Sequence, residues 1–174
     1  MVLKGGPTQD EIMAISLFKL GVRSGDTVAD IGCGTGKVAI AMAADAGSVI
    51  AVDRREEAIA VAEQAALKAG TSNIEFHCGE ATDLLRQIPS LDCAFLGGSQ
   101  SLETVLDLLA ERVKRTIVVN AVLLDTVYEA VRVMKKLDIF EEVVQVQVAR
   151  SYPLGKSLIF RPIDPVFIVT GKVA

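Results

Sequence analysis

A chain of 174 residues, 51% hydrophobic and 23% charged, has the length of one domain and enough apolar content for a core, which excludes intrinsic disorder. Its net charge of −4 and isoelectric point near 5.1 count against a broad nucleic-acid-binding face, while leaving room for a local basic pocket. No apolar run approaches the ~20 residues of a membrane span and no secretory signal pattern opens the sequence, so a cytoplasmic protein without membrane association is expected.

Tryptophan is absent, so Val, Ile, Leu and Ala must supply the interior. Cys33, Cys78 and Cys93 show neither CxxC spacing nor a neighbouring His cluster. They read as reduced, mostly buried thiols, and no metal site is expected.

In chain order, Gly5-Gly6-Pro7 is a turn and Thr8 a candidate cap for a helix over 9–20, closed by Gly21. A strand over 27–31 runs into the glycine-rich loop 32–36 and a helix reaching about Ala46. The pattern then repeats: strand 48–52, helix 56–69, strand 74–78, short helix 82–87, strand 91–96, helix 102–112, strand 115–121 and helix 126–137. Strands alternating with helices in this way specify an α/β parallel sheet. The rhythm breaks at the end. Val144, Val146 and Val148 alternate with Gln145 and Gln147, the segment 151–162 intervenes, and a last strand covers 166–170. With no helix between them, these two strands should pair antiparallel. The expected fold is a class I S-adenosylmethionine-dependent methyltransferase sheet, Rossmann-like, seven-stranded and mostly parallel, with an antiparallel C-terminal hairpin. One domain over 1–174 is expected, with an N-terminal turn and helix at 1–21 and a hairpin region at 139–174.

The strongest chemical signal is Asp30-Ile31-Gly32-Cys33-Gly34-Thr35-Gly36 between a strand and a helix. A P-loop requires glycine where Ile31 stands and a hydroxyl residue where Val38 stands. A dinucleotide loop requires glycine at Lys37, and Asp30 would repel a pyrophosphate. For a cation the sign reverses. S-adenosyl-L-methionine carries a sulfonium and an ammonium, which a carboxylate at the strand end favours. Asp53 closes the second strand and can accept both ribose hydroxyls. Gly79-Glu80-Ala81 offers a turn beside the adenine, and Gly97-Gly98-Ser99 leaves space for an acceptor. All four turns fall at the carboxyl ends of parallel strands, where open sheets bind ligands.

On these residues the chain resembles the CbiT family of (cobalt-)precorrin C-15 methyltransferases, which also decarboxylate the C-12 acetate side chain. The likeness runs through Gly6-Pro7-Thr8, Asp30–Gly36, Ala51–Arg54, Gly79–Ala81, Leu96–Ser99, Asn120–Leu124 and Asp164–Gly171. Gln100-Ser101 departs from the family's further glycine, and Asn120 stands where a small hydroxyl residue is common. The resemblance implies cofactor contact by Thr8, Gly32 to Gly36, Asp53 and Ala81. With the turns above, the expected cofactor set is Thr8, Asp30, Gly32, Cys33, Gly34, Thr35, Gly36, Asp53, Arg54, Gly79, Glu80, Ala81 and Gly97.

It also implies a tetrapyrrole (corrin precursor) substrate, a homotetramer and a separate C-5 methyltransferase in the same pathway. A substrate rich in carboxylates calls for basic side chains. Gly98, Ser99, Arg150, Lys156 and Arg161 are the substrate candidates, with Lys37 and Arg54 behind them, although any such charge taken singly reads as surface. No catalytic residue is assigned, because a conjugated macrocycle is its own electron sink. His77, the single histidine, lies inside a strand and reads as structural, and the spacing of Tyr128 and Tyr152 assigns them no role. The apolar stretches 157–160 and 166–169 are expected to bury against another subunit. The competing readings are a methyltransferase acting on RNA (tRNA adenine type), on protein or on another small molecule, and a non-catalytic cofactor-binding subunit.

Overall fold

The computed structural model describes residues 8–98 and 100–173. The turn expected at 5–7 and the Ser99 position therefore lie outside the described residues.

Helix α1 (Asp10–Leu20) precedes β1 (Thr27–Ile31), α2 (Lys37–Ala43), β2 (Ser48–Asp53), α3 (Glu56–Ala69), β3 (Ile74–Cys78), α4 (Ala81–Gln87), β4 (Leu91–Leu96), α5 (Leu102–Arg112), β5 (Val113–Ala121) and α6 (Leu124–Lys136). Four strands follow: β6 (Phe140–Val146), β7 (Ala149–Leu154), β8 (Ser157–Pro162) and β9 (Val166–Lys172). Seven of the nine form one sheet in the order β3-β2-β1-β4-β5-β9-β6. The five β/α strands are parallel, and β9 runs antiparallel between β5 and β6, as the sequence implies. The order reverses between β1 and β4, so the loops after these strands diverge and open a crevice at the carboxyl edge.

Near-continuous runs of small and branched apolar residues let the central strands be covered on both faces. Val28, Cys93, Phe95, Val118 and Ile168 pack on one face with α1, α2 and α3. Their neighbours Ala29, Ala94, Leu96, Ile117 and Val169 pack on the other with α4, α5 and α6. Each fully buried Leu, such as Leu106 or Leu109, contributes about 1.5–3 kcal/mol relative to exposure.

Several expectations are corrected. Thr8 does not cap α1: Gln9 occupies the N-cap, with no side-chain capping bond. Cys33 and Cys93 are buried, but Cys78 is exposed at the end of the sheet's edge strand; all three are free thiols. The segment between the last two sheet strands is a separate antiparallel arm, β7 on β8, turning at Gly155-Lys156. Pro153 and Pro162 are tolerated because both strands of a two-stranded arm are edges. Ile168 and Val169, expected to face another subunit, are fully buried inside this chain's own sheet. Only the 157–160 stretch remains exposed, with Leu158 at 63% and Phe160 at 67%.

Candidate active site at the carboxyl edge of the sheet

A cavity of about 370 Å³ opens at the carboxyl ends of β1 to β4. Ile31, Val52, Leu96 and Val105 give it an apolar floor. Polar walls come from the following loops: Gly32 after β1, Asp53 to Arg55 after β2, Gly79 to Ala81 after β3, and Gly97, Gly98 and Gln100 after β4. Its size and mixed lining suit a nucleoside-sized ligand.

The glycine loop is bolted to its neighbours by backbone. The amides of Gly32 and Cys33 both donate to the Val52 carbonyl, at 2.8 and 3.0 Å, and Gly97 N–H donates to Ile31 at 2.9 Å. A Cβ on Gly32 would stand 3.0 Å from the Gly98 nitrogen, so the β1 and β4 loops touch through bare backbone. Gly36 takes φ 74°, and a Cβ there would lie 2.8 Å from that of Ala62 in α3. This glycine admits a helix against the loop. Cys33 lies beneath the loop, where burial first and then the nearby Asp30 and Asp53 charges push its thiol far up. It is a neutral packing group.

Two carboxylates meet the loop from below and from the side. Asp30 is 1% exposed, and neither oxygen has a hydrogen-bond partner among the described residues. Burial lifts its carboxyl to about 7; the Ala39 amide at the start of α2 draws it down, and the Asp53 charge adds to the rise. Asp53 is the opposite case. Burial raises its carboxyl, yet four donors outweigh that and hold it below the usual carboxylate range. They are Gly34 N–H to Oδ2 at 3.0 Å, Arg55 N–H to Oδ1 at 3.0 Å, and Arg55 Nε and Nη2 to Oδ1 and Oδ2, both at 2.9 Å.

Of the residues expected from sequence, Gly32, Asp53, Arg54, Gly79, Glu80, Ala81, Gly97 and Gly98 line the cavity. Asp30, Cys33, Gly34, Thr35 and Gly36 shape the loop without lining it. Thr8 does not line it; its carbonyl accepts from Lys37 Nζ at 2.6 Å, and the same ammonium pairs with Asp10. Lys37 thus fastens the start of α1 to the start of α2. The basic candidates of the arm stay apart from the cavity. Arg150 pairs with Glu11 of α1 at 2.7 Å, Arg161 stacks on Tyr152 at 5.1 Å, and Lys156 is at the arm's turn. His77 pairs with Glu75 at 3.0 Å on the edge strand, a surface contact. Tyr128 is exposed at the start of α6.

Sequence reasoning missed Arg55 and the apolar floor, and it noted Gln100 as a departure from the family without placing it in the site. Arg55 could have been found from its position two residues beyond a strand-end Asp, within reach of that carboxylate. Gln100 belongs to an irregular turn with no spacing rule. Among the described residues no cluster of His, Cys, Asp or Glu is arranged to hold a metal ion.

Comparison with known proteins agrees with this geometry. A family model described as the precorrin methyltransferase domain matches residues 3–171. A Methanosarcina mazei protein named as a probable cobalt-precorrin-6B C(15)-methyltransferase (decarboxylating) is 45% identical, over 98% of this chain and 95% of its own. Two crystal structures superpose with a TM-score of 0.92 at 29% identity. One, described as a precorrin 8W decarboxylase from Methanobacterium thermoautotrophicum, covers 95% of this chain and 91% of its own. The other, a precorrin-6y C5,15-methyltransferase from Geobacter metallireducens, covers 99% and 94%. A match along nearly the whole length, by sequence and by backbone, places the chain in the precorrin methyltransferase family.

Proposed function

We propose that the protein transfers a methyl group from S-adenosylmethionine to C-15 of cobalt-precorrin-6B and decarboxylates the C-12 acetate side chain, in cobalamin biosynthesis. The observation that carries this reading is the cavity at the switch point of the sheet, with Asp53 in its wall, in a chain 45% identical to relatives bearing that name.

The residues present fit the cofactor. Asp53, ionised and held by backbone amides, is the seat for the ribose hydroxyls. The apolar floor and the Gly79–Ala81 turn suit a purine. Asp30 is a buried carboxyl with no hydrogen-bond partner among the described residues, beneath the glycine loop, and the ammonium of the aminoacyl group would compensate its charge. Bound S-adenosylmethionine supplies an electrophilic methyl group. The protein's share is to orient, to exclude water and to hold donor and acceptor about 3 Å apart in line. Decarboxylation breaks the bond between the acetate methylene and its carboxylate carbon, releases carbon dioxide and sends the electron pair into the acceptor's conjugated ring; the methylene then takes a proton from solvent to become methyl, so no protein base is required.

The acceptor sits beyond Gly97 and Gly98, the turn that leaves room over the floor. The balance of charge supports a small-molecule acceptor over RNA. The reading further includes a cytoplasmic location, a homotetramer joined through the exposed arms, and a separate protein for C-5 methylation. Single-turnover incubation with labelled S-adenosylmethionine and cobalt-precorrin-6B tests it by mass spectrometry. The expected product gains one methyl and loses carbon dioxide; cofactor binding with no mass change would refute the assigned acceptor.

A further inference from the structure

We propose that Arg55 competes with the ligand for the nucleoside seat: its guanidinium holds the two Asp53 oxygens in the place of a vicinal diol, and a ligand enters by exchanging two hydroxyl donors for two N–H donors. This rests on the reading of Asp53 as the ribose seat.

The four hydrogen bonds on Asp53 fall into two kinds. The Gly34 and Arg55 amides are backbone, fixed by the loop and by the β2 turn, and give one bond to each oxygen. The other bond to each oxygen comes from one side chain, through Nε and Nη2. A carboxylate accepts about four hydrogen bonds, so the guanidinium fills the sites that remain beyond the amides. Those are the sites that two hydroxyls on adjacent carbons would use.

Burial sets the terms of the exchange. The Asp53 side chain is 5% exposed and cannot turn to water, whereas that of Arg55 is 33% exposed and lines the cavity. The carboxylate and its backbone donors are fixed, and the arginine is the more exposed of the partners and the one that a ligand meets in the cavity. A diol leaves no oxygen short of a donor. A single hydroxyl leaves one oxygen of a buried carboxylate under-bonded, the situation in which hydrogen-bonding sites discriminate most strongly. Asp53 thereby discriminates against a single hydroxyl, while Arg55 sets a threshold that any ligand must exceed and holds the carboxylate until one arrives.

Calorimetric titration with S-adenosylhomocysteine and its 2′-deoxy analogue, on the wild type, Arg55→Ala, Arg55→Lys and Asp53→Asn, tests the proposal. Removing the competing guanidinium should tighten S-adenosylhomocysteine by roughly tenfold in Arg55→Ala, and by less in Arg55→Lys, whose ammonium is not a fork. The deoxy analogue should bind the wild type at least about tenfold more weakly. In the wild type, the slowly exchanging Arg55 Nε–H resonance, assigned through Arg55→Lys, should lose its protection on saturation with S-adenosylhomocysteine. That measurement needs no destabilised variant. Weaker or unchanged binding in Arg55→Ala, or a resonance that stays protected in the complex, would overturn the role of Arg55 while Asp53→Asn still abolished binding. Unchanged affinity in Asp53→Asn would overturn the ribose seat itself.

Discussion

Asp30 and Asp53 stand one strand apart beneath the same loop, and their surroundings drive them in opposite directions. For Asp30, burial raises the carboxyl from 3.8 to about 7, so the folded state takes up a proton that the unfolded state has released. The sign follows: this contribution to stability is present below pH 3.8 and is lost as pH rises through about 7. Asp30→Asn removes the burial penalty on charge and should raise Tm at pH 8, by about 2–4 °C for each kcal/mol relieved, with no gain at pH 4. The ammonium of the aminoacyl group favours the ionised carboxylate, so S-adenosylhomocysteine should bind more tightly at pH 8 than at pH 6 and release protons near pH 7. Isothermal titration in buffers of different ionisation enthalpy reads this directly, and a pH-independent affinity would rule it out. Asp53 works the other way: its lowered carboxyl adds stability above the unfolded value and loses it only on acidification. Gly36→Val should destabilise by several kcal/mol, since it needs both a strained positive φ and space that Ala62 occupies; a chevron or melting curve measures the loss.

At the scale of elements, the sequence spoke clearly where periodicity and punctuation agreed. The strands 27–31, 74–78 and 91–96 and the helices 56–69 and 102–112 stand where the pattern puts them, because their apolar residues follow a strand or helix period and their ends are marked by a turn or by a change of that period. The last sheet strands were half legible. β6 begins at Phe140, four residues before the alternation becomes visible, because the register slips between Phe140 and Glu142 and the doublet Glu141-Glu142 hides the period. The arm was illegible for a different reason. Tyr152, Leu154, Leu158, Ile159 and Phe160 are exposed on both of its strands, so burial imposes no polar and apolar alternation. Joined subunits would cover this surface. Phe160→Glu should shift the proposed homotetramer toward smaller species in sedimentation velocity while leaving the far-ultraviolet circular dichroism of the sheet unchanged. Shortening the arm is feasible because Ile163 N–H already donates to the Val148 carbonyl at 2.8 Å, closing the base on which a short turn could be placed.

Over the whole molecule, two helical layers grip one sheet and every wall of the cavity comes from the same edge of it. That arrangement explains why the loops that line the cavity could be read from the sequence and the contacts of the basic side chains could not. Glycines and strand-end carboxylates are dictated by local chain geometry, whereas the contacts of Arg150, Lys37 and Arg161 depend on where distant elements come to rest. A ligand filling the cavity ties together the ends of β1 to β4, and thus both halves of the fold. S-adenosylhomocysteine at 100 times its Kd should therefore add about 2.7 kcal/mol to stability, seen as a rise in Tm. A thermal shift that Asp53→Asn abolishes would locate that gain at the second strand.

The arm carries one more consequence. Its turn places Lys156 at the tip of a ribbon that has no core of its own, flanked by Arg150 and Arg161 within the same two strands. In a lone protomer these are the bonds that trypsin would reach first; in an assembly whose arms cover one another they would be shielded. The rate of cleavage at this ribbon should therefore fall as protein concentration rises, so that limited digestion becomes a clock for how long each protomer spends alone.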